Sequence, residues 1–135
     1  MKFSFLFFTL VSLCLGYEAK VLKIIDGDTI KVLYKNKEQT IRLFGINAPE
    51  KKEPYFGKSK QILTKKINRK KVEIEHLYYD KYKRSVSKVF LRNKDISKFM
   101  VKNGHAIAFR KYSKDYIRDE NYAKNKKLGL WNKAQ

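Results

Sequence analysis

The sequence predicts a mainly β fold with helices (α+β), a five-stranded Greek-key barrel of the OB type carrying three helices. Three observations predict it. Strand-like segments with period-two alternation come first along the chain and helical patterns dominate later. A helical segment interrupts the strands after the third. The 135 residues suffice for one core but not for two.

The first strand is expected over Ala19 to Ile25, ending at the turn Asp26-Gly27, with Thr29 to Tyr34 as its partner. Lys35-Asn36-Lys37 is a polar turn, and Gln39 to Ile46 completes a meander. Pro49 and Pro54 mark a loop, since neither can donate to a sheet ladder. Lys58 to Ile67 fits a helix with Ile62, Leu63 and Ile67 on one side. Lys71 to Tyr78 alternates, with Val72, Ile74 and His76 facing one way and Glu73 and Glu75 the other. Val86 to Leu91 is the fifth strand. Asp95 can cap a helix carrying Ile96, Phe99 and Met100, stopped by Gly104. A last helix is expected from about Asp115 to Lys127, stopped by Gly129 and followed by Trp131.

Residues 1–16 read as a secretory signal peptide and residues 17–135 as the single domain. Lys2 precedes an apolar run from Phe3 to Leu15, broken only by Ser4, Thr9, Ser12 and Cys14. A spanning helix needs about 20 apolar residues, and this run is shorter. Cys14 and Gly16 stand three and one residues before a cut that would leave Tyr17 as the new N-terminus. The expected location is therefore secreted or periplasmic. A lipid anchor at Cys14 is the competing reading, and Leu13 is large where a lipoprotein signal favours a small residue. Cys14 is the only cysteine, so the mature chain would have no disulfide, no zinc–thiolate site and no thiol nucleophile.

Lys and Arg number 32 against 13 Asp and Glu, a formal net charge of +19. Such a surface seeks polyanions, and each phosphate it neutralises releases condensed counterions. DNA or RNA is the expected partner. Nothing in the sequence demands an obligate protein partner or more than a monomer.

Three clusters of residues could carry chemistry. Asp26-Gly27-Asp28-Thr29 crowds two carboxylates into one turn. A hairpin explains Asp26 and Gly27 through the backbone angles that Asp-Gly supplies, but leaves Asp28 unexplained. Arg42 alternates with Thr40 and Phe44 along a strand, and Asn47 and Glu50 follow its end. Asp80-Lys81-Tyr82-Lys83-Arg84 precedes the fifth strand.

In this order and spacing, the clusters resemble the staphylococcal-nuclease (thermonuclease-like) family from Ala19 to Trp131. Asp26 to Thr29 matches its first motif, Arg42 through Pro49-Glu50 its second, and Asp80-x-Tyr82-x-Arg84 is similar to its third. Asn103 to Ala106 and Glu120 through Gly129-Leu130-Trp131 look like its C-terminal landmarks. The resemblance implies the OB barrel with three helices. It also implies a metal-dependent endonuclease that leaves 3′-phosphate ends. Asp28, the residue at the position of Asn47 and the backbone carbonyl at Thr29 would ligate Ca²⁺. Glu50 would act on the attacking water, Arg42 and Arg84 would grip the phosphate, and Lys81 and Tyr82 would contact a nucleotide phosphate.

The physical chemistry suits those roles. A phosphodiester is anionic and repels nucleophiles, so hydrolysis needs neutralisation, which a calcium ion supplies as Lewis acid and template. Arginine presents a planar, permanently charged fork to two phosphate oxygens. Asn47 departs from the family pattern, which has aspartate there. Its amide oxygen can ligate Ca²⁺ without adding charge, so weaker calcium binding is expected. Lys83 replaces a usual glycine. Tyr82 and Tyr112 are expected to touch substrate, Trp131 to pack, His76 to form part of the barrel wall and His105 to be structural.

The sequence thus predicts an exported calcium-dependent nuclease acting on DNA, RNA or both. The first rival is a non-catalytic nucleic-acid-binding OB module with a weakened metal site, which Asn47 favours. The second is a cationic protein acting on membranes or cell-wall polymers, which would need an exposed amphipathic helix.

Overall fold

The computed structural model describes residues 16–133. The expected signal segment, with Cys14, lies outside them apart from Gly16. The strands are β1 (Tyr17–Asp26), β2 (Thr29–Tyr34), β3 (Lys37–Leu43) and the short β4 (Ile46–Asn47). After helix α1 (Phe56–Ile67) come β5 (Lys71–Tyr79), β6 (Ser85–Leu91) and the short β7 (Lys94–Asp95). Helix α2 (Ile96–Lys102), β8 (Ile107–Ala108), α3 (Ile117–Lys126) and a final 3₁₀ turn, Gly129–Trp131, complete the chain.

The main sheet runs β3-β2-β1-β5-β6-β7, and β3 also pairs with β6. That extra pairing closes the five long strands into the expected barrel. It is parallel, with Ile41 opposite Ser85 and Arg42 opposite Val86. Closure has a functional consequence, because it sets the end of β3, with Arg42, beside the start of β6, which Arg84 immediately precedes.

The core follows from alternation. Val21, Ile30, Val32, Ile41, Leu43, Ile74 and Val89 point inward from the strands, and Leu63 and Ile67 of α1 and Ile96 and Met100 of α2 cap them. Each such side chain contributes roughly 1.5–3 kcal/mol on full burial. The Asp95 carboxylate caps α2 by accepting the Lys98 N–H at 3.3 Å, as expected.

Several sequence expectations need correction. The third strand does not continue to Ile46. Gly45 turns the chain at φ +78°, packed against Tyr116, and Ile46–Asn47 pairs instead with β8. Gly27 is not left-handed, so the Asp26-Gly27 turn does not need glycine for its angles. A Cβ there would lie 2.0 Å from Ser59 Oγ and 2.8 Å from Ala48 Cβ, so glycine is required by close approach. Gly129 does not stop α3. Lys127 does, at φ 54°, with its N–H donated to Lys124 O and that of Leu128 to Ala123 O. His76 keeps the face of Val72 and Ile74, opposite buried Ser87, but it is exposed there rather than packed in the wall. Its Nδ1 lies 2.6 Å from Ser85 Oγ.

Candidate active site

Asp28 sits where β1 turns into β2 and is 5% exposed. Its Oδ1 accepts the Thr29 hydroxyl at 2.9 Å, and its Oδ2 accepts the Ala48 N–H at 2.7 Å. Arg42 Nη2 lies 3.3 Å from the same Oδ2, and Arg42 Nη1 donates to Leu43 O at 3.0 Å. Asp26 accepts the Asp28 N–H at 3.0 Å, an Asx turn that fixes the loop. Asp28, left unexplained by the hairpin, is therefore the post to which Arg42 and the loop after β4 are both tied. Burial pushes the Asp28 carboxyl up to about 6; the Arg42 charge opposes this, Asp26 adds to it, and the Ala48 N–H opposes it.

The loop before β6 is organised by a second aspartate. Asp80 Oδ1 accepts the N–H groups of Tyr82 at 2.9 Å and Arg84 at 3.0 Å, while Oδ2 accepts Arg84 Nε at 2.7 Å. Burial pulls the Asp80 carboxyl upward. The Arg84 N–H and guanidinium and the Tyr82 N–H outweigh it and hold the carboxyl below its usual value. Held by Nε, Arg84 keeps its two terminal nitrogens for another ligand. The Tyr82 ring lies 5.1 Å from Lys81 Nζ and 5.3 Å from the Arg84 guanidinium carbon.

Arg42 and Arg84 line one cleft of about 330 Å³. Lys81, Tyr82 and Tyr112 line it too, with Tyr78, Asp80 and Phe109. Asp28 and Thr29 stand behind Arg42 rather than in the wall. Thr29 is buried and lies opposite Asp26 and Arg42 in the two flanking ladders. Asn47 is half-buried in β4. Glu50 is exposed in the loop after it; its N–H donates to Glu53 Oε1 at 3.2 Å and its carbonyl accepts the Glu53 N–H at 2.9 Å. Only Pro49 separates it from Ala48, whose N–H anchors this loop to Asp28.

Among the described residues, no three His, Cys, Asp or Glu side chains gather to hold a metal. The turn offers the buried Asp28 carboxylate and that of Asp26, which accepts the Asp28 N–H, and Asn47 immediately precedes the Ala48 N–H that bonds Asp28. This chemistry fits a hard oxygen-liganded cation.

Comparison with known proteins follows this geometry. The family model described as staphylococcal nuclease homologue matches residues 40–133, which include Arg42, Asn47, Glu50 and Arg84. The chain belongs to the staphylococcal nuclease family. An uncharacterized endonuclease of Haemophilus influenzae (strain Rd) is 37% identical over 131 residues, covering 93% of this chain and 74% of that protein. An uncharacterized endonuclease of Escherichia coli O157:H7 is 33% identical over 125 residues, covering 90% and 82%. A probable staphylococcal-like nuclease, CAN3, of Oryza sativa subsp. japonica is 36% identical over 118 residues, covering 86% of this chain but 29% of its own length.

Within this staphylococcal nuclease domain, sequence reasoning missed the part played by Asp80. The signal was present, since an aspartate two and four residues before N–H groups of a turn is an Asx pattern. It weighed Tyr78 but favoured Tyr82 and Tyr112 over it, and it missed Phe109 in the cleft. Glu120, quoted only as a landmark, is buried and accepts from Ala108 N–H at 2.7 Å and Arg110 Nη1 at 2.6 Å, with Lys124 Nζ at 3.3 Å. It ties α3 to β8 beside the Phe109–Tyr112 wall.

Proposed function

We propose that this chain is an exported, calcium-dependent nuclease that hydrolyses phosphodiester bonds of DNA, RNA or both. The observation that carries the reading is the convergence of Arg42 and Arg84 on one cleft, each oriented by its own aspartate. Two guanidinium forks facing one small cleft suit a phosphate whose charge grows during reaction. Asp28, the Asn47 amide oxygen and the Thr29 carbonyl would hold the ion, which when bound supplies Lewis-acid neutralisation of the phosphate.

The chain's own residues carry the rest. Glu50, open to solvent, takes a proton from water as that water adds to phosphorus. The bond to the 5′-oxygen breaks, that oxygen takes a proton from solvent, and the phosphate remains on the 3′ side. Arg42 and Arg84 hold the equatorial oxygens, and Lys81, Tyr82 and Tyr112 bind the adjoining nucleotide. Export rests on the form of residues 1–16.

Labelled single-stranded DNA incubated with residues 17–135, in calcium or in EDTA, tests this directly. Cleavage is expected in calcium alone, and Asn47→Asp should lower the calcium concentration for half-maximal rate. The second reading, a binding module, is favoured by Asn47, which brings no charge where the family pattern has aspartate. DNA binding without calcium-stimulated cleavage in either protein would select it.

A further inference from the structure

The cleft contains an aromatic side chain that the proposed hydrolysis does not use. Val72 and Ile74 point inward from β5, and strict alternation would send His76 and Tyr78 to that same face. The strand does otherwise. Its register with β6 shifts between His76 and Tyr78, which makes Leu77 the extra residue of a bulge. His76 pairs with Ser87, Tyr78 with Val86 and Tyr79 with Ser85. Directly opposed residues share a face. Ser85 and Ser87 are fully buried, whereas Val86 lines the cleft. Tyr79 therefore keeps the side of His76, with ring centroids 4.5 Å apart, and Tyr78 is turned into the cleft.

The other rings there are committed. Tyr82 is flanked by Lys81 and Arg84, and Phe109 and Tyr112 pack edge to face at 4.9 Å. Tyr78 is 40% exposed and makes no ring–ring or cation contact among the described residues. It lines the cleft with Arg42, Arg84 and Tyr112, and burial first, then Tyr112, raises its phenol above the usual value against the pull of Arg42. An open aromatic face beside a phosphate grip is the element from which single-strand binding sites are built.

We infer that Tyr78 is a nucleobase-stacking platform. It takes the unpaired base of a nucleotide whose phosphate lies against Arg42 and Arg84, and so makes the cleft select single strands over duplex. This rests on the nucleic-acid reading of the cleft. A paired base is already stacked within its duplex and cannot present its face to Tyr78, whereas a single strand can. The bulge at Leu77 is the specificity device, because it alone moves Tyr78 to the cleft side.

The test is fluorescence anisotropy with labelled oligothymidylate, an abasic sugar-phosphate oligomer of equal length and a blunt duplex, all in EDTA. Tyr78→Ala should weaken oligothymidylate binding about 5- to 100-fold. Tyr78→Phe should bind within about twofold of the parent, because the ring and not the hydroxyl stacks. The parent should bind the abasic oligomer more weakly than oligothymidylate, with no further loss in Tyr78→Ala, and duplex affinity should be equal in all three proteins. Unchanged oligothymidylate affinity in Tyr78→Ala overturns the inference, as does an equal loss on duplex and abasic oligomer. Binding in EDTA needs no turnover, so a parent that stacks bases but never cleaves would sink only the proposed hydrolysis.

Discussion

Asp80 uses both carboxylate oxygens on the loop that contains Arg84, and Arg84 donates through Nε. A guanidinium held in this way aims its terminal nitrogens without having to be ordered when substrate arrives, so the ordering cost falls on folding. Asp80→Asn keeps the shape but weakens the grip on Nε. We expect kcat to fall by up to about 100-fold with KM changed far less. Steady-state kinetics on an oligonucleotide would show it. A loss confined to KM would mean that Asp80 serves only binding. The sequence made Arg42, Arg84 and Asp28 legible through motif order. The Asx spacing of Asp80 was legible too, but its grip on Arg84 Nε was not, because that bond depends on the loop folding back onto its own first residue.

At the scale of elements, two turns are built against local preference. Lys83 lies at φ 63° and Lys127 at φ 54°, in the left-handed region where a Cβ is crowded. A warning was legible at Lys83, which stands where the family pattern has glycine and lies at positive φ here. Lys83→Gly and Lys127→Gly should each stabilise the protein by about 0.5–1 kcal/mol, read as a higher urea midpoint at unchanged m. A lower midpoint would show that the lysine side chains contribute more than the strain costs. Strand and helix cores were readable because apolar spacing reports them. The ends were not, since Gly45, Gly27 and Lys127 answer to neighbours distant in sequence. The parallel β3–β6 pairing and the Leu77 bulge were equally hidden, because neither leaves a local pattern. Alternation misplaced Tyr78 for the same reason, since it is followed only until a bulge resets it, whereas His76 precedes the bulge and keeps its register opposite Ser87.

The whole molecule is a basic barrel whose few buried acids join its parts. Glu120 links α3, β8 and Arg110. Burial would raise its carboxyl, but hydrogen bonds from Arg110, the Ala108 N–H and Lys124 outweigh burial and hold it below the ordinary glutamate value. A depressed folded value means that this stability is fully present above about pH 4.5 and is lost as pH falls through the folded value. Glu120→Gln should therefore cost about 1–3 kcal/mol at pH 7 and flatten the acid side of the stability curve. Urea melts from pH 7 to pH 3 would check both, and parallel pH profiles for parent and variant would contradict the assignment.

The central claim is that Arg42 and Arg84 act together on one phosphate. Single-turnover cleavage of a labelled oligonucleotide in saturating calcium, by Arg42→Ala, Arg84→Ala and the double variant, tests it most directly. The account predicts a loss of about 10²–10³ in rate for each single variant. The double variant should fall by less than the product of the two losses, because groups acting as a unit are not additive. Cleavage at the parental rate in either single variant would contradict it.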